Sequence, residues 1–232
     1  MHTTIVIPTY NERDNIALLI SRIFSLGIPD LDIVVVDDSS PDDTSAAVHS
    51  LTDSLPVHLI TQPNKSGIGR AYITGFDYAL KNGADTIIQM DADLSHDPAD
   101  IPRLLSTLEN FDMVIGSRKI PGGKIIGWNF WRKFMSAGAM MLARIFLGLA
   151  IHDITSGYRA FRRQVLESID LKTVSAGGYA FQEEILYKVN KMGFNINEIP
   201  VIFSDRIHGK SKLSWRDIIE FFIIIFKIKY VK

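Results

Sequence analysis

The chain has 232 residues, of which 47% are hydrophobic and 22% charged, a balance that excludes disorder and allows a sizeable buried core. No cysteine is present, which excludes disulfides and thiolate metal sites. The net charge of −1 hides a split, because residues 1–117 carry 6 Lys and Arg against 17 Asp and Glu, and residues 118–232 carry 19 against 9.

In chain order, Thr3–Ile7 is a β-rich run ended by Pro8, and it reads as a first strand rather than a signal peptide. Asn11 is expected to cap a helix, with Ile16, Leu19, Ile20 and Ile23 at helical spacing. Asp32–Val36 has the continuous apolar character of a parallel strand buried on both faces. Thr44–Leu51 is expected to be helical, Val57–Thr61 a strand, Gly67–Leu80 a helix and Thr86–Met90 a strand. Pro102–Glu109 and Met113–Gly116 add a helix and a fifth strand. Strands alternating with helices predict a mostly parallel sheet with right-handed crossovers.

The second half reads differently. Ile120–Gly127 is expected to be a glycine-rich basic loop, and Phe130–Leu149 an apolar helix interrupted by Arg132, Lys133, Ser136 and Arg144. A mixed stretch follows, then a loop over Ser204–Lys212. Residues 215–232 form an amphipathic segment with Trp215, Ile218, Ile219, Phe222 and Phe226 at helical spacing and Lys227, Lys229 and Lys232 at its end. It is shorter than a membrane span, which needs about 20 residues. It suits a helix lying in the membrane interface, or one packed on the domain or a second copy. The domain expectation is therefore 1–214 for the catalytic unit and 215–232 for the interface helix.

Polar clusters fall where ligands bind in such sheets, beyond the carboxyl ends of strands. Asp91-Ala92-Asp93 puts two carboxylates on one side of an extended segment. Such hard oxygen donors suit Mg²⁺ or Mn²⁺ shared with a substrate diphosphate. The alternative is a solvated acidic turn. Tyr10 is a candidate to stack on a nucleobase, and Glu12 and Asp38 to bind base or ribose, although Glu12 also suits a helix start. The segment Asn64–Ala71 lacks the Walker spacing, and Gly67 and Gly69 are read as permitting a tight turn. Arg118 ends the fifth strand and is expected to clamp a phosphate. Arg132 and Ser136 share a helix face and are candidates for a second phosphate, with snorkelling as the alternative for the arginine. His96, His152 and His208 lack metal-ligand spacing, and His152-Asp153 reads as a structural pair.

Ile7–Glu12, Val36–Asp42 and Met90–His96 resemble the family 2 glycosyltransferases. Gly116-Ser117-Arg118, Gly127-Trp128 with Arg132-Lys133, Thr155–Arg159, Phe181–Glu184 and Asp205–Lys212 narrow the resemblance to the dolichol- or polyprenol-phosphate mannose synthases, and the single amphipathic segment at the end is similar to their short, peripheral form. The resemblance implies an α/β GT-A fold and inverting transfer of mannose from GDP-mannose to a polyprenyl monophosphate. It implies that Pro8, Tyr10, Glu12, Val36 and Asp38 hold guanosine, and that Asp91, Ala92 and Asp93 hold metal, diphosphate and sugar. Arg118, Arg206 and Lys212 would contact phosphates, and Arg132 and Ser136 the lipid phosphate. The enzyme would be peripheral on the cytoplasmic membrane face, with no nucleic acid partner. The same reaction with UDP-glucose, or a non-catalytic nucleotide-binding membrane scaffold, are the competing expectations.

Overall fold

The computed structural model describes residues 1–128, 130–174, 178, 180–204, 223, 225–227 and 229–230. Its first half is a run of alternating elements: β1 (Thr3–Thr9), α1 (Arg13–Phe24), β2 (Leu31–Asp37), α2 (Thr44–Thr52), β3 (Val57–Thr61), α3 (Ile68–Lys81), β4 (Thr86–Gln89), α4 (Ile101–Leu108) and β5 (Met113–Ser117). The second half adds β6 (Lys124–Ile126), α5 (Phe130–Leu147), β7 (Arg159–Arg162), α6 (Arg163–Ser168), α7 (Phe181–Lys191), β8 (Ile196–Pro200) and β9 (Ile202–Ser204).

Seven strands form one sheet in the order β3-β2-β1-β4-β7-β5-β8, and β6 pairs with β9 in a separate two-stranded ribbon. All neighbours in the large sheet are parallel except β7, which runs antiparallel to both β4 and β5. Two expectations change here. The presumed loop Ile120–Gly127 contains β6, and the mixed stretch supplies β7 to the middle of the sheet.

Alternation of side chains divides each buried strand between two cores. Val6, Val34 and Val36 face one core, with Tyr72, Phe76, Phe161, Phe181 and Leu186. Ile5, Ile7, Ile33 and Val35 face the other, with Ile16, Leu19, Ile20 and Leu104. This explains why every residue of β1 and of β2 is buried. Helix α3 lies so close to the sheet that a Cβ at Gly75 would come within 2.2 Å of Val6 Cγ1.

The described part of the C-terminal segment is helical and packs on α5. Ile225 is buried in the same core as Met140, Ala143 and Leu147, and the rings of Phe226 and Tyr230 lie 6.3 and 5.8 Å from that of Phe146. Lys229 donates to the Phe146 carbonyl. Met141, Leu142 and Ile145 on α5 remain exposed, as do Phe226 and Tyr230. Among the described residues no helix is long and apolar enough to cross a membrane.

Candidate active site

The strand order reverses between β1 and β4, and in open α/β sheets such a reversal opens a crevice at the carboxyl ends of the strands. Three strand ends meet there, and one side chain ties the first two, those of β1 and β2, together. Asp37, at the end of β2, accepts hydrogen bonds from Thr9 Oγ1 at 2.8 Å, Ser40 N at 3.0 Å and Ser45 Oγ at 2.8 Å. The chain bends sharply beyond each of these strands: Asn11, Ser39 and Leu94 all have positive φ, at 58°, 59° and 62°. Left-handed backbone at a non-glycine costs on the order of 1–3 kcal/mol and persists where surrounding contacts impose it. Asn11 is therefore not the helix cap expected; the helix begins at Arg13 with Glu12 in the cap position.

An open cleft of about 260 Å³ lies over these strand ends. Pro8, Tyr10, Glu12, Asp38, Asp91, Ala92 and Asp93 line it. Val36 does not, being fully buried against α3. Asp38 is less a loose ligand than a pin. Its Oδ1 accepts from Ser66 N at 2.7 Å and Ser66 Oγ at 2.9 Å, and its Oδ2 from Gly67 N at 2.8 Å. The left-handed Gly67, φ 95°, turns the chain there into α3, and the pinned loop brings Lys65 into the cleft wall.

The paired carboxylates are held from behind. Tyr72, fully buried on α3, donates its hydroxyl to Asp91 Oδ1 at 2.6 Å, while its ring stacks on Phe181 at 5.7 Å. Gly157 lies against the other oxygen: a Cβ there would sit 3.1 Å from Asp91 Oδ2. Asp93, only 5% exposed, accepts from Ser95 N at 3.1 Å. Tyr72 and Ser95 are neutral donors, so they orient the carboxylates without cancelling their charge. The Asp91 N–H donates to His96 Nδ1 at 3.3 Å, which puts the ring proton on Nε2. Burial lowers the His96 pKa, so the neutral ring serves as a backbone acceptor, stacked on Tyr158 at 4.9 Å.

Asp91 and Asp93 fit a divalent cation by donor chemistry. Among the described residues no group of three or more His, Asp or Glu can hold an ion unaided. A cation here would complete its shell with water and substrate oxygens, the usual habit of Mg²⁺.

Arg118, at the end of β5, is held by an acidic partner within the fold. Its Nε and Nη2 donate to Asp153 Oδ2 and Oδ1, both at 2.7 Å, and Nη2 also reaches Thr155 Oγ1 at 2.8 Å. Burial alone would discharge the pair, yet mutual attraction holds the arginine above and the aspartate below their ordinary pKa values. This bidentate pair orders the strand-five end. The expected His152–Asp153 pair is replaced: His152 Nδ1 lies 2.9 Å from Glu198 Oε2. Ser136 is half-buried on α5, away from the cleft lining. Arg132 belongs to α5, but its side chain lies outside what is described, as do Arg206 and Lys212 entirely.

Beneath the cleft lies a buried polar layer. Arg159 is fully buried and donates to three carbonyls: Ser156 and Gln182 at 2.7 Å and Ile154 at 2.8 Å. Gln89 Nε2 donates to Gln182 Oε1 at 2.7 Å. Burial pushes Glu183 up to about 8 from 4.5 and Arg159 down to about 10. A carboxyl with a raised folded-state pKa favours folding at low pH, because the unfolded chain ionises first as pH rises. Wild-type stability relative to Glu183→Gln is thus expected to fall as pH rises from 4.5 towards 8 and then level off. Urea unfolding of both proteins across that range checks it, and a constant difference would contradict the assignment.

A Rossmann-like sheet with twin carboxylates at its switch point is an arrangement suited to a nucleotide-bearing ligand and a divalent cation. The model of the family "Glycosyl transferase family 2" matches residues 4–170, and the chain belongs to that family. It is 43% identical to the polyprenol monophosphomannose synthase of Mycolicibacterium smegmatis, over 94% of this chain and 83% of that protein. It is 41% identical to the undecaprenyl-phosphate mannosyltransferase of Micrococcus luteus, over 92% and 88%. With the dolichol-phosphate mannosyltransferase of Pyrococcus furiosus it shares 39% identity, over 98% of this chain and 64% of that one. Among solved structures, glucosyl-3-phosphoglycerate synthase from Mycobacterium tuberculosis in complex with phosphoglyceric acid superposes with a TM-score of 0.73 at 19% identity, over 98% of this chain and 79% of that one. That similarity speaks to the fold.

Proposed function

We propose that this chain transfers mannose, with inversion, from GDP-mannose to a polyprenyl monophosphate at the cytoplasmic face of a membrane. One observation carries the reading. Asp91 and Asp93 line a cleft at the sheet switch point, in a chain 39% to 43% identical to relatives named for mannosyl transfer to polyprenyl phosphates. Pro8, Tyr10, Glu12 and Asp38 hold the nucleoside, and Asp91, Ala92 and Asp93 face the diphosphate and sugar. Mg²⁺ or Mn²⁺ held by Asp91 and Asp93 supplies a Lewis acid that neutralises the leaving diphosphate. Arg206 and Lys212 contact phosphate oxygens, and Arg132 and Ser136 the acceptor phosphate.

An acceptor phosphate is already an anion near neutral pH. Its oxygen attacks the anomeric carbon as the bond from that carbon to the GDP oxygen breaks, and no protein base is needed. The chain's contribution is positioning and charge stabilisation. Residues 1–214 form the catalytic domain and 215–232 a membrane-interface segment. Exposed Met141, Leu142 and Ile145 on α5, beside Phe226 and Tyr230, supply apolar area for that contact. Arg144, Lys227 and Lys229 supply nearby positive charge.

The test is nucleoside diphosphate release from a donor panel with and without polyprenyl phosphate. GDP-mannose is expected to be turned over fastest, and only with the lipid phosphate. Preference for UDP-glucose would replace the donor, and no turnover of any donor would leave a scaffold. Replacing Met141 and Leu142 by Glu is expected to lower co-sedimentation with anionic liposomes several-fold. Unchanged sedimentation would remove this face from the membrane contact.

A further inference from the structure

We propose that Lys65 reads the nucleobase of the donor, closing over the ring of Tyr10 and selecting a purine that offers acceptors on its outer edge. The inference rests on the reading of the cleft as a nucleotide-sugar site.

The charge of the cleft points to this residue. Glu12, Asp38, Asp91 and Asp93 line it with carboxylates, and among its described lining residues Lys65 alone is a cation. Among the described residues, it is the positive side chain that an anionic donor meets along that wall. Its position says which end of the donor it meets. The strand order sets β4 on one side of β1 and β2 with β3 on the other. Lys65, in the loop after β3, therefore stands across the cleft from Asp91, after β4. The diphosphate belongs with the twin carboxylates, so Lys65 stands at the base end.

The loop is built to hold it there. Gln62 N donates to the Asp37 carbonyl at 2.8 Å, and Ser39 Oγ donates to the Gln62 carbonyl at 2.7 Å. The Asp38 carboxylate takes both Ser66 N and Gly67 N. The backbone on either side of Lys65 is thus fixed to β2, while its four-carbon stem stays exposed. The ammonium lies 3.5 Å from the centroid of the Tyr10 ring, a cation–π contact of the kind that holds a charge over an aromatic face. A base stacking on that face displaces the ammonium from the ring centre to the base edge. Guanine presents two acceptors there, O6 and N7, a pair that lysine reads, whereas adenine keeps N7 but sets beside it an N6 donor that repels the ammonium. The pin also gives Asp38 a structural role: it aims the loop that carries the reader.

Calorimetric titration of the full chain in Mg²⁺ with GDP, IDP and ADP tests this, on wild type and on Lys65→Met, which keeps the apolar stem. IDP keeps O6 and N7 and lacks the amino group of guanine. The variant is expected to lose about tenfold in affinity for GDP and for IDP, with ADP unchanged. Equal losses for all three would make Lys65 a phosphate contact, and no loss would make it a bystander; either result overturns the proposal. If wild type bound none of the three, the nucleotide reading itself would fall, and this inference with it.

Discussion

Replacing Asp93 by Asn is expected to reduce kcat/KM by about three orders of magnitude while leaving the fold unchanged. The substitution is nearly isosteric, and the Asn carbonyl can still accept from Ser95 N, the bond that shapes the turn around the left-handed Leu94. What is lost is one negative charge at a site that is 5% exposed. A metal acting as a Lewis acid on a departing diphosphate is worth several kcal/mol, and each ~1.4 kcal/mol of transition-state stabilisation is a factor of about ten. The matching structural check is a circular dichroism spectrum and a melting temperature close to those of wild type. Substantial metal-dependent turnover by a folded variant would sink the assignment of Asp93 to the metal.

The second large effect concerns stability. Arg159→Leu is expected to cost about 3–5 kcal/mol, because it strands three buried carbonyls that the guanidinium now satisfies. For a chain of this length that corresponds to roughly 10 °C in Tm. Surface pairs such as Lys81–Asp77 are worth about 0–1 kcal/mol and make a useful contrast. The same arginine ties Ile154 and Ser156 on the approach to Gly157, which lies against Asp91. The variant should therefore lose catalytic efficiency even where it remains folded. Denaturant titration measures the stability term, and a loss below about 1 kcal/mol would show that the buried network is dispensable.

The elements visible in the sequence were those whose local pattern equals their tertiary role. β1, β2 and β4 are apolar runs because both their faces are covered, and each ends in the polar residues that a parallel sheet collects at one edge. Hence Pro8, Tyr10, Glu12, Asp38 and Asp91–Asp93 could be marked in advance as cleft residues. β7 was hidden because its pattern is Arg-Ala-Phe-Arg. The buried Arg159 is tolerated in a central strand because backbone carbonyls of Ile154, Ser156 and Gln182 surround it. β6, three residues long and at most half-buried, has no hydrophobic signature at all. The strand-end position of Arg118 was legible, but its pairing with Asp153, 35 residues away, was not. Lys65, Tyr72 and Gly157 were missed because each acquires its role through a long-range contact, with Tyr10, Asp91 and Asp91 respectively. A lysine in a strand-end loop was the one available signal, and the glycines beside it drew the reading towards a turn.

In the proposed reaction a lipid-phosphate acceptor and a mannosyl donor meet at the Asp91–Asp93 carboxylates. This is tested most directly by incubating the purified chain with radiolabelled GDP-mannose, polyprenyl phosphate and Mg²⁺, and extracting the product into organic solvent. Label is expected in an acid-labile mannosyl phosphoryl lipid, abolished by chelator and by omission of the lipid phosphate. Label transferred equally to the unphosphorylated polyprenol, or none transferred at all, would contradict it.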